Sequence, residues 1–138
     1  MLSYGQQPKV HNYFPMPNEI FHLDLSDGAI LVYAFLMYCE DRKTYQCYPS
    51  YATIGKAIKR SENSVAKYVR ELEEKRLIHT EPTEVTLKDG RKHNGSLLYT
   101  IRPIAEAVEY RYEKQMMRLQ AECRHQKVMQ KLQKCKGR

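Results

Sequence analysis

The sequence has few of the residue patterns that catalytic and metal sites require. None of its four cysteines (Cys39, Cys47, Cys123 and Cys135) belongs to a CxxC pair. No histidine lies at an interval from them that is typical of zinc ligands. The five histidines are scattered along the chain, and no glycine-rich phosphate-binding loop is present. We therefore expect neither enzymatic activity nor a metal or cofactor.

Long apolar runs and a secretion signal are also missing. No run approaches the roughly 20 apolar residues that a membrane helix needs. The first ten residues contain one basic residue and no apolar core of the kind found in signal peptides. We expect a cytoplasmic protein with reduced thiols and no membrane partner.

Positive charge is in excess, and it is unevenly distributed. The chain of 138 residues has a formal net charge of +7. Residues 1–49 carry three basic and five acidic side chains, whereas residues 103–138 carry nine basic and four acidic side chains. This asymmetry fits a face that meets phosphate groups. It fits a basic protein with solvated lysines equally well.

The pattern of residues 27–40 predicts a first helix. Ser26 is a suitable N-cap, and Asp27 places a negative charge in the first turn. Apolar residues recur at steps of three and four, which predicts a broad buried stripe. Its members are Ile30, Leu31, Ala34, Phe35, Tyr38 and Cys39, and Val32 and Leu36 widen the stripe, so that the helix should be largely buried.

Two shorter helices, over residues 51–58 and 62–75, follow a proline and are separated by a tight bend. Ser50 and Ser61 are their predicted N-caps. The second helix has an apolar face, formed by Val65, Val69 and Leu72, and a polar face opposite it. This arrangement is typical of a helix-turn-helix.

A β-hairpin is predicted after these helices. Residues 77–80 and 97–102 have strand character, and turn dipeptides lie between them. A strand, a basic turn and a second strand form a wing. Its tip carries Lys88, Arg91, Lys92 and His93. These cations either enter a minor groove or form a solvated tip.

The last predicted element is a helix over residues 104–134, a stretch without glycine or proline. Six basic and no acidic residues follow Cys123. The helix has three interpretations: it packs back on the domain, it forms a homodimer, or it carries a basic tail. We favour the homodimer, because an unpartnered helix of this length is marginal in water. The expected contacts are Val108, Tyr112, Met116 and Leu119.

These segments predict a mainly α fold, a winged helix-turn-helix with a small β-hairpin wing and a long C-terminal helix. Residues 1–25 form an N-terminal arm, residues 26–102 the winged helix-turn-helix domain, and residues 103–138 the helix with its basic tail. On this fold, double-stranded DNA is the expected partner. We expect base contacts from Asn63, Ser64 and Lys67. We expect phosphate contacts from Ser50, Tyr51, Thr53, Lys59, Arg60, Tyr68 and Arg70.

The run YPSYATIGKAIKRSENSVAKYVRELEEKRLI resembles the winged-helix domains of bacterial phage and mobile-element proteins. These include the N-terminal domains of plasmid replication initiators and DnaD-like primosome proteins. The upstream YFPMPNEIFHLDLS and AILVYAFL are similar to the entry of initiator domains. The resemblance implies a role in replication initiation or in transcriptional regulation of a mobile element, with replication or transcription proteins as further partners.

An alternative is a winged helix that docks protein partners and has lost DNA binding. Acidic residues on the presumed reading helix favour it, because they would repel phosphate groups. They are Glu62, Glu71, Glu73 and Glu74.

Overall fold

The fold is described from a computed structural model, which covers residues 12–136. Residues 1–11 of the predicted arm and residues 137–138 of the predicted basic tail lie outside the described residues. A short 3₁₀-helix, Asn18–His22, leads into the domain. Ile20, from this helix, is fully buried, and Leu23 is nearly so. The second half of the arm is therefore part of the core.

Three helices follow, and each begins where a serine caps it. α1 spans Asp27–Cys39, α2 spans Tyr51–Ile58 and α3 spans Glu62–Glu74. Ser26, Ser50 and Ser61 each accept a hydrogen bond from the backbone N–H three residues ahead. The serine oxygens satisfy N–H groups that would otherwise lack partners at a helix start. All three caps confirm the sequence prediction.

The buried face of α1 differs from the predicted stripe. Leu31 and Tyr38 are exposed, and Ile30, Ala34, Phe35 and Cys39 are only half-buried. The core face consists of Ala29, Val32, Tyr33, Leu36 and Met37, of which Val32 and Leu36 belong to the predicted widening of the stripe. Both sets recur at helical intervals in a segment that is apolar on every side. Periodicity identified the helix, but it could not select the face that meets α2 and α3.

A small antiparallel sheet completes the domain. β1 (Gln46–Cys47), β2 (Ile78–Glu81) and β5 (Leu98–Ile101) form three strands in the order β1-β5-β2. Thr80 is opposite Tyr99 in the β2–β5 pair. The sequence pattern predicted β2 and β5 within one residue of their ends, but it gave no sign of β1. Two residues leave no periodic pattern to detect.

The hairpin continues beyond this sheet as a second pair of strands. β3 (Glu84–Thr86) and β4 (Lys92–Asn94) pair with Val85 opposite His93. Gly90 closes the tip at φ +87°, and its N–H donates to the carbonyl of Leu87. A positive φ at this turn favours glycine, which has no Cβ to clash.

α4 spans Ile104–Lys136 and is about 50 Å long at 1.5 Å per residue. Ala107 is its only buried residue within the described range, and every residue from Tyr112 to Lys136 is exposed. The helix therefore packs against the domain by its first turns and then projects from it. Across residues 12–136, no helix combines the length and the apolar character needed to cross a bilayer.

The core joins α1, α2, α3, the sheet and the first turns of α4. Tyr33, Leu36, Ile54, Leu72 and Tyr99 are among its largest fully buried side chains. Three helices, with a hairpin wing after the third, form a winged helix-turn-helix. The predicted fold class, including the long C-terminal helix, is confirmed.

Candidate functional site

The outer face of α3 presents a row of polar side chains. Asn63, Lys67 and Arg70 are exposed and follow one another at steps of four and three residues. This spacing places them along one side of the helix. Val65 and Val69, on the opposite side, are buried in the core. The core thus fixes the direction in which the row faces.

The first turn of α3 is held by two serines. The backbone N–H of Ser64 donates to Ser61 Oγ at 3.2 Å. Ser61 Oγ in turn donates to Ser64 Oγ at 3.0 Å. Ser64 is half-buried beside the row, and its hydroxyl proton is not used in this pair. Of the three predicted base contacts, Asn63 and Lys67 lie in the row and Ser64 lies at its edge.

The turn between α2 and α3 has a fixed backbone. Lys59 adopts the left-handed conformation at φ +59°, and the N–H of Arg60 donates to the carbonyl of Gly55 at 3.0 Å. A Cβ on Gly55 would lie 2.6 Å from the carbonyl oxygen of Arg60, so glycine is required there. The exposed side chains of Lys59 and Arg60 therefore leave the domain from a rigid turn.

Arg60 is tied to two neighbours beyond the turn. Its Nη1 donates to the hydroxyl of Tyr68 at 3.3 Å, and its Nη2 lies 3.4 Å from Oδ2 of Asp27. The guanidinium side chain remains about one-third exposed. Arg60 thus presents a positioned cation next to the N-terminus of α3, where partial positive charge from the helix dipole adds to it.

Tyr68 is a half-buried packing residue as well as a partner of Arg60. Its ring lies against Gly28 in the first turn of α1, within the space that a Cβ would occupy. A hydroxyl can donate and accept at once. The oxygen that accepts from Arg60 therefore keeps its own proton for another partner.

Two of the four acidic residues near this face are already engaged. Glu71 Oε2 accepts from the hydroxyl of Ser26 at 2.6 Å, which fastens α3 to the start of α1. Glu73 Oε1 accepts from Thr80 Oγ1 at 2.7 Å. Glu62 and Glu74 are exposed. Because both partners are neutral hydroxyls, these hydrogen bonds position Glu71 and Glu73 without removing their negative charge, and the acidic residues still count against an anionic partner as the sequence implied.

The predicted phosphate contacts at the start of α2 serve as caps and packing groups. Ser50 Oγ accepts from the N–H of Thr53 at 3.1 Å and lies 2.9 Å from the hydroxyl of Thr53. Tyr51 is half-buried against the core. Ser50 is half-buried and Thr53 is exposed, so both hydroxyls lie near the surface at this helix start.

The four predicted wing residues are all exposed. Lys92 lies 3.8 Å from Glu84 across the β3–β4 pair, and Arg91 lies 3.6 Å from Asp89 within the tip. Exposed pairs of this kind are weak. Their cations can exchange these partners for phosphate. Lys88 and His93 lie at the tip and on β4.

The four predicted dimer contacts form an exposed stripe on α4. Val108, Tyr112, Met116 and Leu119 are exposed by 39% to 63%. A second set, Val128, Met129 and Leu132, is exposed further along the helix. The apolar surface of α4 is therefore large, and the domain of the same chain covers little of it.

Buried thiols and phenols in the core are poorly suited to catalysis. Burial raises the pKa of Cys47 to about 12, and it raises the pKa of Cys39 as well. Nucleophilic and metal-binding cysteines need the thiolate form. Over residues 12–136, no three His, Cys, Asp or Glu side chains come together as metal ligands would.

Sequence reasoning missed the contacts that join α1 to the turn and to α3. These are Ser26 with Glu71, Asp27 with Arg60, and Gly28 with Tyr68. One signal was available, because glycine in the first turn of an apolar helix is unfavourable without a close neighbour. The partner residue could not be inferred from that signal.

A comparison with protein families agrees with the helix-turn-helix part of this architecture. Residues 23–78 match a family described as a helix-turn-helix domain. This range runs from the end of the 3₁₀ segment to the start of β2. One similar solved structure is that of a possible transcriptional regulator from Methanosarcina mazei Go1, with a TM-score of 0.48 and 19% identity. The alignment covers 75% of this chain and 80% of that one. No curated protein matches the sequence.

Proposed function

We propose that this protein binds duplex DNA and inserts the Asn63, Lys67 and Arg70 side of α3 into the major groove. The observation that carries this proposal is the row itself: it is exposed, it is opposite the buried face, and it begins beside the positioned cation of Arg60. An α-helix fits the major groove, and the helix after the turn is the one that reads bases in helix-turn-helix domains.

Each predicted contact has a role in this proposal. Asn63 and Lys67, with Ser64 beside them, contact base edges. Arg70 lies in the same row two turns from the helix start, so it contacts either a base or the backbone. Lys59 and Arg60 contact phosphates from the turn, as do Ser50, Tyr51, Thr53 and Tyr68 from the flanking helices. Phosphate contacts contribute affinity and register but little sequence information.

The wing and α4 complete the proposal. The exposed cations of the wing tip contact the DNA backbone or a minor groove beside the reading helix. α4 pairs with a second copy through Val108, Tyr112, Met116 and Leu119. This pairing would remove exposed apolar area from water and place two reading helices on two half-sites.

In this role the protein controls transcription or replication initiation, and the resemblance to mobile-element proteins favours a mobile element as its setting. It has no catalytic part in this function, and it acts in the cytoplasm.

Fluorescence anisotropy with labelled random-sequence duplexes tests the proposal. Affinity should fall steeply as salt rises from about 50 to 200 mM, because bound phosphates release counterions. Selection from random duplexes should then yield a preferred site. The triple variant Asn63→Ala, Lys67→Ala, Arg70→Ala should lose this site. The matched pair Arg124→Gln, Lys127→Gln, on distal α4, should retain it.

Absence of binding to any duplex at about 50 mM salt would overturn the proposal. In that case the same faces would serve the alternative, a winged helix that docks a protein partner. Binding that is equally strong on all sequences would retain DNA as the ligand and remove the base-reading role of α3.

A further inference from the structure

A cleft of about 350 Å³ lies at the opposite end of α3 from the DNA face proposed above. Its walls are the C-terminal end of α3, the segment before α1 and the first turns of α4. Leu23 and Ala107 supply apolar surface. Four cations line it, with Asp24 as the one acidic side chain in the lining: Lys75, Arg111, Lys114 and Arg118. The lining therefore has a strong positive excess.

Specific contacts hold two of these cations in place. Lys75 Nζ donates to the carbonyl of Leu23 at 3.0 Å and also to the carbonyl of Asp24. Arg111 Nη2 lies 3.0 Å from Oδ2 of Asp24. Asp24 itself has a left-handed backbone at φ +56°, a conformation that aspartate adopts more readily than most residues. The cleft is thus lined by positioned charges.

A third cation is held by an aromatic ring. Lys114 Nζ lies 4.7 Å from the centre of the Tyr110 ring, and the guanidinium of Arg76 lies 4.4 Å from the same centre. Such cation–π contacts orient a long side chain. Because both cations lie over this ring, Tyr110 is not an open platform for stacking a ligand.

The charge pattern along α4 is unfavourable by itself. Arg111, Lys114 and Arg118 follow at steps of three and four residues, so they share one side of the helix. Like charges at these steps destabilise a helix by about 0.2–0.5 kcal/mol per pair. A multivalent anion in the cleft would remove this repulsion and bridge α3 to α4.

We infer that this cleft binds a small phosphorylated anion, such as pyrophosphate or the phosphate chain of a nucleotide. Each guanidinium group, of Arg111 and of Arg118, can donate two parallel hydrogen bonds to the oxygens of one phosphate. The lysine ammonium groups add positive charge. The 13 residues of α3 extend about 20 Å, which separates the cleft from the start of the reading helix. The inference therefore does not depend on DNA binding.

Isothermal titration of the full chain with sodium pyrophosphate tests the inference. Micromolar to low-millimolar binding should appear, together with a rise in the melting temperature that sodium chloride of equal ionic strength does not produce. Lys114→Gln and Arg118→Gln should each weaken pyrophosphate binding at least tenfold. Arg124→Gln and Lys127→Gln remove the same charge from exposed distal α4 and should leave binding unchanged.

Three results would overturn the inference. The first is no heat of binding with pyrophosphate. The second is an equal loss in the cleft variants and the distal variants, which would show a response to overall charge. The third is a lower affinity for duplex DNA in the cleft variants without pyrophosphate binding, which would identify DNA as the source of the phosphate.

Discussion

The ring of Tyr68 packs directly on Gly28, and a larger residue at position 28 would clash with it. A Cβ on Gly28 would lie 2.0 Å from Cζ of the Tyr68 ring. The same ring carries the hydroxyl that accepts from Arg60. One pair of residues thus links the packing of α1 on α3 to the position of a cation on the proposed DNA face.

Gly28→Ala should destabilise the domain by about 1–3 kcal/mol, because the added methyl group displaces the Tyr68 ring. The intrinsic helix preference of alanine, up to about 1 kcal/mol, offsets only part of this cost. Urea unfolding measures the change. In a Tyr68→Ala background the clash is absent, so Gly28→Ala should be neutral or stabilising. A loss of the same size in both backgrounds would contradict the contact.

Tyr68→Phe should keep the ring on Gly28 and remove only the hydroxyl. We expect an unchanged melting temperature, because the hydrogen bond to Arg60 is exposed and long, and a two- to fivefold loss of duplex affinity, about 0.5–1 kcal/mol. In an Arg60→Ala background, Tyr68→Phe should cause a smaller further loss, because only the hydroxyl's own phosphate contact is then removed. Anisotropy titrations of the four proteins measure this coupling. Additive losses would show that the hydroxyl does not act through Arg60.

Lys67→Ala should weaken binding to a selected site by about 1–3 kcal/mol if Lys67 reads a base. Its effect on a random duplex should be small. Lys59→Ala, in the turn, serves as the comparison, since a phosphate contact weakens all sequences equally and lowers the salt slope by about one. Equal losses of affinity for Lys67→Ala on both duplexes would show that Lys67 contacts a DNA phosphate and not a base.

The paired substitutions Met116→Glu and Leu119→Glu should dissociate a homodimer that forms through the α4 stripe. Charges in a buried apolar contact are strongly unfavourable. Sedimentation velocity over a range of concentrations measures the change. Val128→Glu and Leu132→Glu, outside the stripe, are the control pair. A wild-type protein that sediments as a monomer at all concentrations would refute the dimer.

Glu40→Gln should stabilise the protein near neutral pH. Burial raises the pKa of Glu40 above its ordinary value of 4.5, and Arg42 offsets part of this rise. The ionised carboxylate is therefore less favourable in the folded state, and the buried Oε2 has no hydrogen-bond partner. The neutral amide of glutamine costs less to bury than an ionised carboxylate, so we expect a higher melting temperature near neutral pH.

This gain should vanish with acid. As pH falls through the raised pKa, the folded carboxyl takes up a proton, and below 4.5 the unfolded one does too. The carboxyl is then neutral in both states, and its penalty is lost. Melting temperatures between pH 4 and pH 8 measure the trend, with Glu122→Gln on exposed α4 as the control. A gain in melting temperature that is the same at every pH would show that it does not arise from the titration of Glu40.

Local signals predicted much of this fold. The serine caps and the helical spacing of Val65, Val69 and Leu72 depend only on residues close in sequence. They therefore predicted α2 and α3 within one residue of their ends. The face that α1 buries depends on which helices pack against it. The Gly28–Tyr68 and Ser26–Glu71 contacts join residues more than 35 positions apart. Such pairings arise from tertiary packing, which a single sequence does not reveal.

For the candidate site, the sequence identified residue types and helix faces but not partners. The exposed positions of Asn63, Lys67 and Arg70 follow from helical periodicity. The hydrogen bonds of Glu71 and Glu73 do not follow from periodicity, because their partners, Ser26 and Thr80, lie outside α3. The positions in which these two carboxylates are held therefore became clear only from the structure.

Because α4 is long, a small rotation of its root, the turns around Val108, moves its far end by a large distance. The helix extends about 44 Å from Val108 to Lys136. A rotation of about 10° at the root would move the far end by about 8 Å, since α-helices transmit rigid displacement along their axis. The cleft between Lys75 and Arg118 lies at that root. An ångström-scale adjustment there would swing the basic end of the helix through more than the width of a phosphate group.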